Sequence, residues 1–397
     1  MLRRVLSIGI LVVLTNCQSW GKFWEIPSDI DVCTLSRTDI IKAEYAAAVK
    51  KYMQQQAAKG VTGDPTATTL TGPTGADFWH SGVMGTDGMI YGVPLNSTAW
   101  LRINPADDSA TTAGMPTAPG GSAYSSGTLA ANGKIYSPPF FPALFNQLTL
   151  SPLGVQTFSA GGFVTNAPNY TGIVMGRNYK LYAMPQDAQN FVRIDPDTMT
   201  AIVLSAVPTA GGSVTRWGGG VLAFDGKIYG IPQSYTQVLR LDPASEGADY
   251  FASLGATLDK WHGGALAANG KIYAAPMSNK GVLEIDPDAS TTAEYGNYAG
   301  AEQYLGAVTA PNGKIYMIPH AATQVIEFDP ETKVARVFGT LPAGATKWIG
   351  GILAGNGKIY AIPRNPVSAG QALLVIDTKS VGSFCSPLLQ SAYFNKY

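Results

Sequence analysis

The sequence predicts an all-β chain folded as a seven-bladed β-propeller, closed by an N-terminal strand and preceded by a short N-terminal helix. Three observations predict it. A Gly-Lys-Ile-Tyr-x-x-Pro phrase recurs seven times, with tyrosines at Tyr91, Tyr136, Tyr182, Tyr229, Tyr273, Tyr316 and Tyr360, spaced 43 to 47 residues apart. Each is followed three positions on by a proline (Pro94, Pro139, Pro185, Pro232, Pro276, Pro319, Pro363) and preceded by twelve by an aromatic (Trp79, Tyr124, Tyr170, Trp217, Trp261, Tyr304, Trp348). Six copies carry Asn-Gly or Asp-Gly between aromatic and tyrosine, as at Asn269-Gly270. A mid-forties period with short strands and turn signals marks a propeller, one repeat per blade.

Each element follows from local chemistry. After the aromatic, small residues such as Gly263-Gly264-Ala265 suit an innermost strand, because blades converge on the axis and leave little room there. The Asn-Gly and Asp-Gly pairs accept positive φ, which predicts type I′ hairpins; blade three, with Arg177-Asn178-Tyr179, is expected to turn differently. The second strand ends at a proline, which cannot donate to the ladder. A third strand alternates, as in Val238-Leu239-Arg240-Leu241-Asp242-Pro243. Asp195, Asp242, Asp286 and Asp329 each precede a proline and read as turn formers rather than a metal-binding ring, since Asp-Pro opens turns by bonding its own backbone. Blade seven has no outer strand of its own, so Thr68 to Gly72 is expected to supply it beside Ile376, removing a free edge. Ser36 to Lys59 is the helical passage, with Ile41, Tyr45, Ala48 and Tyr52 on the docking face, Ser36 or Thr38 at its start and Gly60 at its end.

The organisation is a leader over residues 1-16, a linker and helix over 17-66 and the propeller over 67-397. Arg3 and Arg4 precede ten apolar residues, Val5 to Leu14, too few to span a bilayer but suited to a secretory signal. Leu14-Thr15-Asn16-Cys17 resembles a bacterial lipobox, which implies acylation of Cys17 and an exported lipoprotein of the outer membrane or cell surface, held to the membrane by its lipid alone. Plain secretion is the alternative, and Asn96-Ser97-Thr98 and Asn169-Tyr170-Thr171 also fit the glycosylation pattern of a non-bacterial exported protein. Cys33 and Cys385 then flank the ring, whose ends meet, so an oxidising compartment would let them pair; two buried thiols are the alternative. Twenty-seven basic residues against 27 acidic ones leave no electrostatic footprint for nucleic acid.

Candidate binding residues lie where the inner strand starts and where the second strand ends, two segments that face one axial mouth. They are Trp79, His80, Trp217, Gln233, Tyr235, Trp261, His262, His320, Trp348 and Arg364, with Phe140, Gln186 and Met277 beside them. All three histidines of the chain fall on this face. His80 and His262 belong to non-adjacent blades and no Cys or carboxylate joins them at ligand spacing, so neither metal nor cofactor is expected. The repeated aromatics also serve as wedges between blades. No Gly-x-Ser-x-Gly elbow, phosphate loop or Cys-x-x-Cys pair occurs, so no catalytic residue is assigned.

The strand pair Lys-Ile-Tyr-x-Ile-Pro and Val-Leu-x-Ile-Asp-Pro-x-Thr resembles the repeats of the quinoprotein-like and Kelch-like propeller superfamilies over about residues 68 to 385. Quinoprotein dehydrogenases use a vicinal disulfide and a calcium-linked cofactor; this chain has no adjacent cysteines, so that activity is not carried over. Exported propeller lipoproteins of this broad group serve as envelope scaffolds, and the resemblance implies that role. The reading is a monomeric, non-enzymatic binding or scaffold protein whose mouth engages an envelope protein or a carbohydrate. The alternative is a propeller hydrolase or lyase acting on a carbohydrate or other small molecule.

Overall fold

The repeat becomes seven four-stranded antiparallel sheets in a computed structural model, which describes residues 30–73, 78–141, 144–159, 170–206, 215–278, 280–365 and 372–394. The leader and Cys17 lie outside the described residues. In each blade the repeated aromatic pairs directly across the inner hairpin with the repeated proline, as in Trp217↔Pro232, Trp261↔Pro276 and Trp348↔Pro363; in blade two an isolated bridge, Tyr124↔Pro139, does this. The proline therefore sits where the second strand leaves the ladder. The aromatic is buried in every blade.

The hairpin turn differs from the type I′ expected. Gly88, Gly133, Gly226, Gly270, Gly313 and Gly357 have φ between 77° and 87°, whereas the preceding Asp or Asn does not take positive φ. The amide of Gly270 bonds the Ala267 carbonyl and the Ala267 amide bonds the Lys271 carbonyl, a three-residue loop in which a left-handed residue follows an ordinary turn. Blade three makes the same turn, with Tyr179 at φ 63° in the glycine's place and the equivalent bonds between Gly176, Tyr179 and Lys180.

The reason for the repeated Asn or Asp lies in its side chain. Its Oδ1 accepts the amide two residues on, as at Lys271 (3.0 Å) and Lys227 (2.9 Å), while its other atom meets the tyrosine hydroxyl four residues on. Asn178 Nδ2 donates to Tyr182 Oη at 2.8 Å and to the Pro243 carbonyl of the next blade at 2.9 Å. Asn356 does the same with Tyr360 and Pro105, across the seam between blades seven and one. The Asp-Pro turn thus also supplies a carbonyl that ties neighbouring blades, while its carboxylate caps its own turn, as Asp242 Oδ1 does for Ala244 N at 2.8 Å.

The N-terminal strand Thr66–Leu70 completes blade seven, pairing antiparallel with Leu373–Asp377 in the register Ala67↔Ile376. It begins two residues earlier than Thr68. The helix is shorter than the sequence pattern indicates: α1 runs over Ala46–Ala57 and buries Val49, Met53 and Gln56 in place of a tyrosine face. Residues 36–42 form turns and Ala43–Tyr45 a short 3-10 helix, because Lys42 is extended (φ −64°, ψ 152°) and Ser36 caps a local turn at Asp39. Ile41 is buried all the same, and Tyr52 uses its hydroxyl to donate to the Ser383 carbonyl at 2.9 Å.

These terminal segments cover the turn side of the propeller. Arg37 donates to the Ala130 and Ala131 carbonyls of blade two's turn, and Arg177 of blade three's turn donates to the Ile41 carbonyl. Cys33 and Cys385, 352 positions apart in sequence, are joined by a disulfide with Cα atoms 5.7 Å apart. After it, α2 (Ser386–Leu389) leads to Gln390, which donates to the Gly85 carbonyl, and to buried Tyr393, whose ring meets Phe224 edge-on at 5.1 Å. Tyr393 and Phe394 leave a cavity of only about 20 Å³ against the inner strands of blades five to seven. That end of the axis is filled.

Candidate functional site: the axial mouth

At the other end, two positions per blade build the site. The residue after the repeated aromatic is His80, Ser125, Thr171, Gly218, His262, Leu305 or Ile349, and the residue after the repeated proline includes Phe140, Gln186, Gln233, Met277, His320 and Arg364. Three of the polar members of the first set hand their side chains to the next blade. His80 Nδ1 bonds the Ser125 carbonyl at 2.8 Å, Ser125 Oγ bonds the Tyr170 carbonyl, and Thr171 Oγ1 bonds the Trp217 carbonyl at 2.8 Å.

Blade four has a glycine at this position because His262 occupies the space: a Cβ on Gly218 would stand 2.5 Å from His262 Cδ2 and 3.1 Å from Gln233 Oε1. His262 thereby reaches across to His80, with ring centroids 6.3 Å apart, and His80 also stacks on Phe140 at 6.4 Å. Gln186 donates to Gln233, and Gln233 to Asp259 Oδ1 at 2.9 Å, a chain along blades three to five. On the far side Met277, Leu305 and Ile349 form a small apolar cluster.

His320 Nδ1 bonds the Trp348 carbonyl at 2.7 Å, while its buried Nε2 has no hydrogen-bond partner and lies 4.0 Å from the half-exposed Glu302 carboxylate. Burial lowers the pKa of all three histidines, to about 3 for His262 and His320, and the nearby Arg364 guanidinium adds to the effect at each. The imidazoles are neutral at physiological pH. Lys260 and Lys347, each immediately before a repeated tryptophan, are buried and lowered to about 8 by desolvation, yet each ammonium donates to loop carbonyls, Lys260 to Thr257 and Lys347 to Ala321 and Gly344.

The structure brings His80, Gln233, His262, His320 and Arg364 together. It keeps the indoles of Trp79, Trp217, Trp261 and Trp348 buried, each Nε1 donating to a third-strand or neighbouring carbonyl at 2.8 to 3.2 Å, so they wedge the blades and present no face to solvent. Tyr235 is half-buried against Trp217 at 4.9 Å. Ser125, Thr171 and Asp259 escaped the sequence reading, although the first two stand at the same repeat position as His80 and His262. Among the described residues no group of three His, Cys, Asp or Glu is arranged to hold a metal ion.

No family model and no curated protein matches the chain. Solved structures do match its fold. Virginiamycin B lyase from Staphylococcus aureus, in a catalytically inactive variant with quinupristin, superposes with a TM-score of 0.65 at 11% identity, over 79% of this chain and 99% of that one. A streptogramin B lyase gives 0.64 at 11% identity, over 79% and 97%. The extracellular domain assigned to a one-component system of Bacteroides thetaiotaomicron gives 0.57 at 12% identity, over 81% of this chain and 42% of that one. The chain is a seven-bladed β-propeller. Its structural neighbours include a lyase and the extracellular domains assigned to one-component and hybrid two-component systems, and no helix among the described residues is long and apolar enough to cross a membrane.

Proposed function

We propose that this chain is an exported, non-enzymatic binding protein, tethered through lipid on Cys17, that captures a ligand or partner at the axial mouth. The convergence of three histidines, Arg364 and the Gln186–Gln233–Asp259 chain at the end of the axis opposite the C-terminal tail carries this reading. Extracellular domains assigned to one-component and hybrid two-component systems are among its structural neighbours, which supports an exported binding role. Screening the purified mature chain against envelope extracts and carbohydrates, with His262→Ala/Arg364→Ala as the comparison, tests it. Capture that is undiminished in the double variant removes the mouth from consideration. Cys17→Ser should move the protein from the membrane to the soluble fraction.

An enzymatic reading has one observation in its favour. A neutral imidazole with a buried, unpartnered Nε2 can take a proton, and His320 has one. The lyase neighbour supplies a first compound to try: chromatographic conversion of quinupristin by the wild type but not by His320→Ala would replace the binding reading with the enzymatic one.

A further inference from the structure

A carbonyl oxygen can only accept, so the nitrogen facing it must carry the proton. Ser125 O therefore fixes His80 in the Nδ1–H tautomer, and Trp348 O does the same for His320. In both rings Nε2 is left as a bare lone pair. At His320 that lone pair is buried and has no partner, a cost that a donated O–H would relieve.

The surroundings narrow what can donate. Arg364 stands close enough to disfavour protonation of all three rings and opposes a cationic ligand in the same way. Imidazole lone pairs together with the Glu302 and Asp259 carboxylates oppose an anion. The partly exposed Phe140 ring offers an apolar face to C–H groups, and Met277, Leu305 and Ile349 back the site as a buried apolar cluster. A protein partner would need roughly 800 Å² of its surface covered around exposed anchors, whereas the indoles of Trp79, Trp217, Trp261 and Trp348 are buried.

We propose that the axial site takes an uncharged polyhydroxyl ligand, a sugar ring of a neutral glycan, with its hydroxyl protons accepted by Nε2 of His80 and His320. This rests on the binding reading above and names its ligand class.

The test uses the mature full chain on an array of neutral, acidic and amino-sugar glycans and against a displayed random peptide library. Neutral glycans should be retained, and His80→Phe or His320→Phe, which keep the ring but lose the lone pair, should weaken them about tenfold or more. Phe140→Ala, which leaves both histidines in place, is a second probe and should weaken the same glycans. Retention of only acidic or amino sugars, or only peptides, with loss in His262→Ala/Arg364→Ala, overturns the ligand class and leaves the mouth standing. Binding of nothing in any class, or binding indifferent to that double variant, overturns both.

Discussion

His80 and His262 come from blades one and five, 182 positions apart, yet their rings stand 6.3 Å from each other across the propeller axis. Non-adjacent blades meet there because the residue after each repeated aromatic points at a common centre, and Gly218 clears the path. Both rings are buried, as is His320, and this gives the fold a pH signature. His262 and His320 titrate near 3 in the native state and near 6.5 in the unfolded chain. Below 6.5 the unfolded chain binds protons that the native state refuses, so stability is complete above that pH and is lost as pH falls toward 3. Each ring steepens the fall by up to about 1.4 kcal/mol per pH unit. Urea unfolding at steps between pH 7 and 4 should show the midpoint dropping, and His262→Asn/His320→Asn should flatten the drop; an unchanged slope would contradict the buried, neutral assignment.

The blade-to-blade ties predict a graded mutational series. Asn312 is buried and serves three groups, with Nδ2 to Tyr316 Oη at 2.9 Å and to the Thr378 carbonyl at 3.2 Å, and Oδ1 from Lys314 N at 3.1 Å. Asn312→Ala leaves a buried hydroxyl and carbonyl short of a donor, and should cost about 2 to 3 kcal/mol of unfolding free energy. Asn356→Ala, at a more exposed copy of the same tie, should cost less. Equal losses at the two sites, measured by denaturant titration, would show that burial does not set the value of the tie.

Blade number, closure and strand order were legible because the aromatic–tyrosine–proline spacing repeats the blade itself, down to the cross-strand pair Trp217↔Pro232. The turn type was not, since Asn-Gly satisfies both a type I′ turn and a type I turn followed by a left-handed glycine, and only the φ of Asn269 separates them. The Asn-to-Tyr tie was visible as an i, i+4 recurrence but has no general sequence signature. Trp79, Trp217, Trp261 and Trp348 were placed correctly along the chain, yet sequence position alone cannot distinguish an indole facing the mouth from one turned back to bond a carbonyl. The α1 start was missed because Lys42 is extended in an otherwise helix-permitting run.

The Cys33–Cys385 bridge closes a loop of 352 residues and pins the N-terminal segment to the C-terminal tail. In the chain-entropy model such a closure stabilises by about 6 kcal/mol before native strain is deducted. Cys33→Ser/Cys385→Ser should therefore lower the unfolding midpoint. Hydrogen exchange should speed up first in α1 and around Leu388, where Tyr52, Gln56 and Ser383 interlock, and least in the buried inner strands. Uniform acceleration across all blades would mean that the bridge holds the ring rather than its terminal cover.

Gly218 offers a way to disturb the site without touching a ligand-facing side chain. Its φ is not in the left-handed region, so alanine meets no backbone penalty there; the penalty comes from the Cβ, which would lie 2.5 Å from His262 Cδ2. Overpacking of this kind typically costs about 1 to 3 kcal/mol, and the imidazole is the part able to move, away from Gln233 and the His80 ring. Gly355→Ala, where no atom lies within 4 Å and φ is ordinary, controls for the general effect of losing a glycine. Gly218→Ala should therefore lose about 1 to 3 kcal/mol of stability, shift the His262 ring resonances in an NMR spectrum and weaken ligand capture at the mouth, while Gly355→Ala should leave the resonances and capture unchanged. A Gly218→Ala protein with unmoved His262 resonances and full capture would show that His262 does not depend on the gap in blade four for its place on the axis.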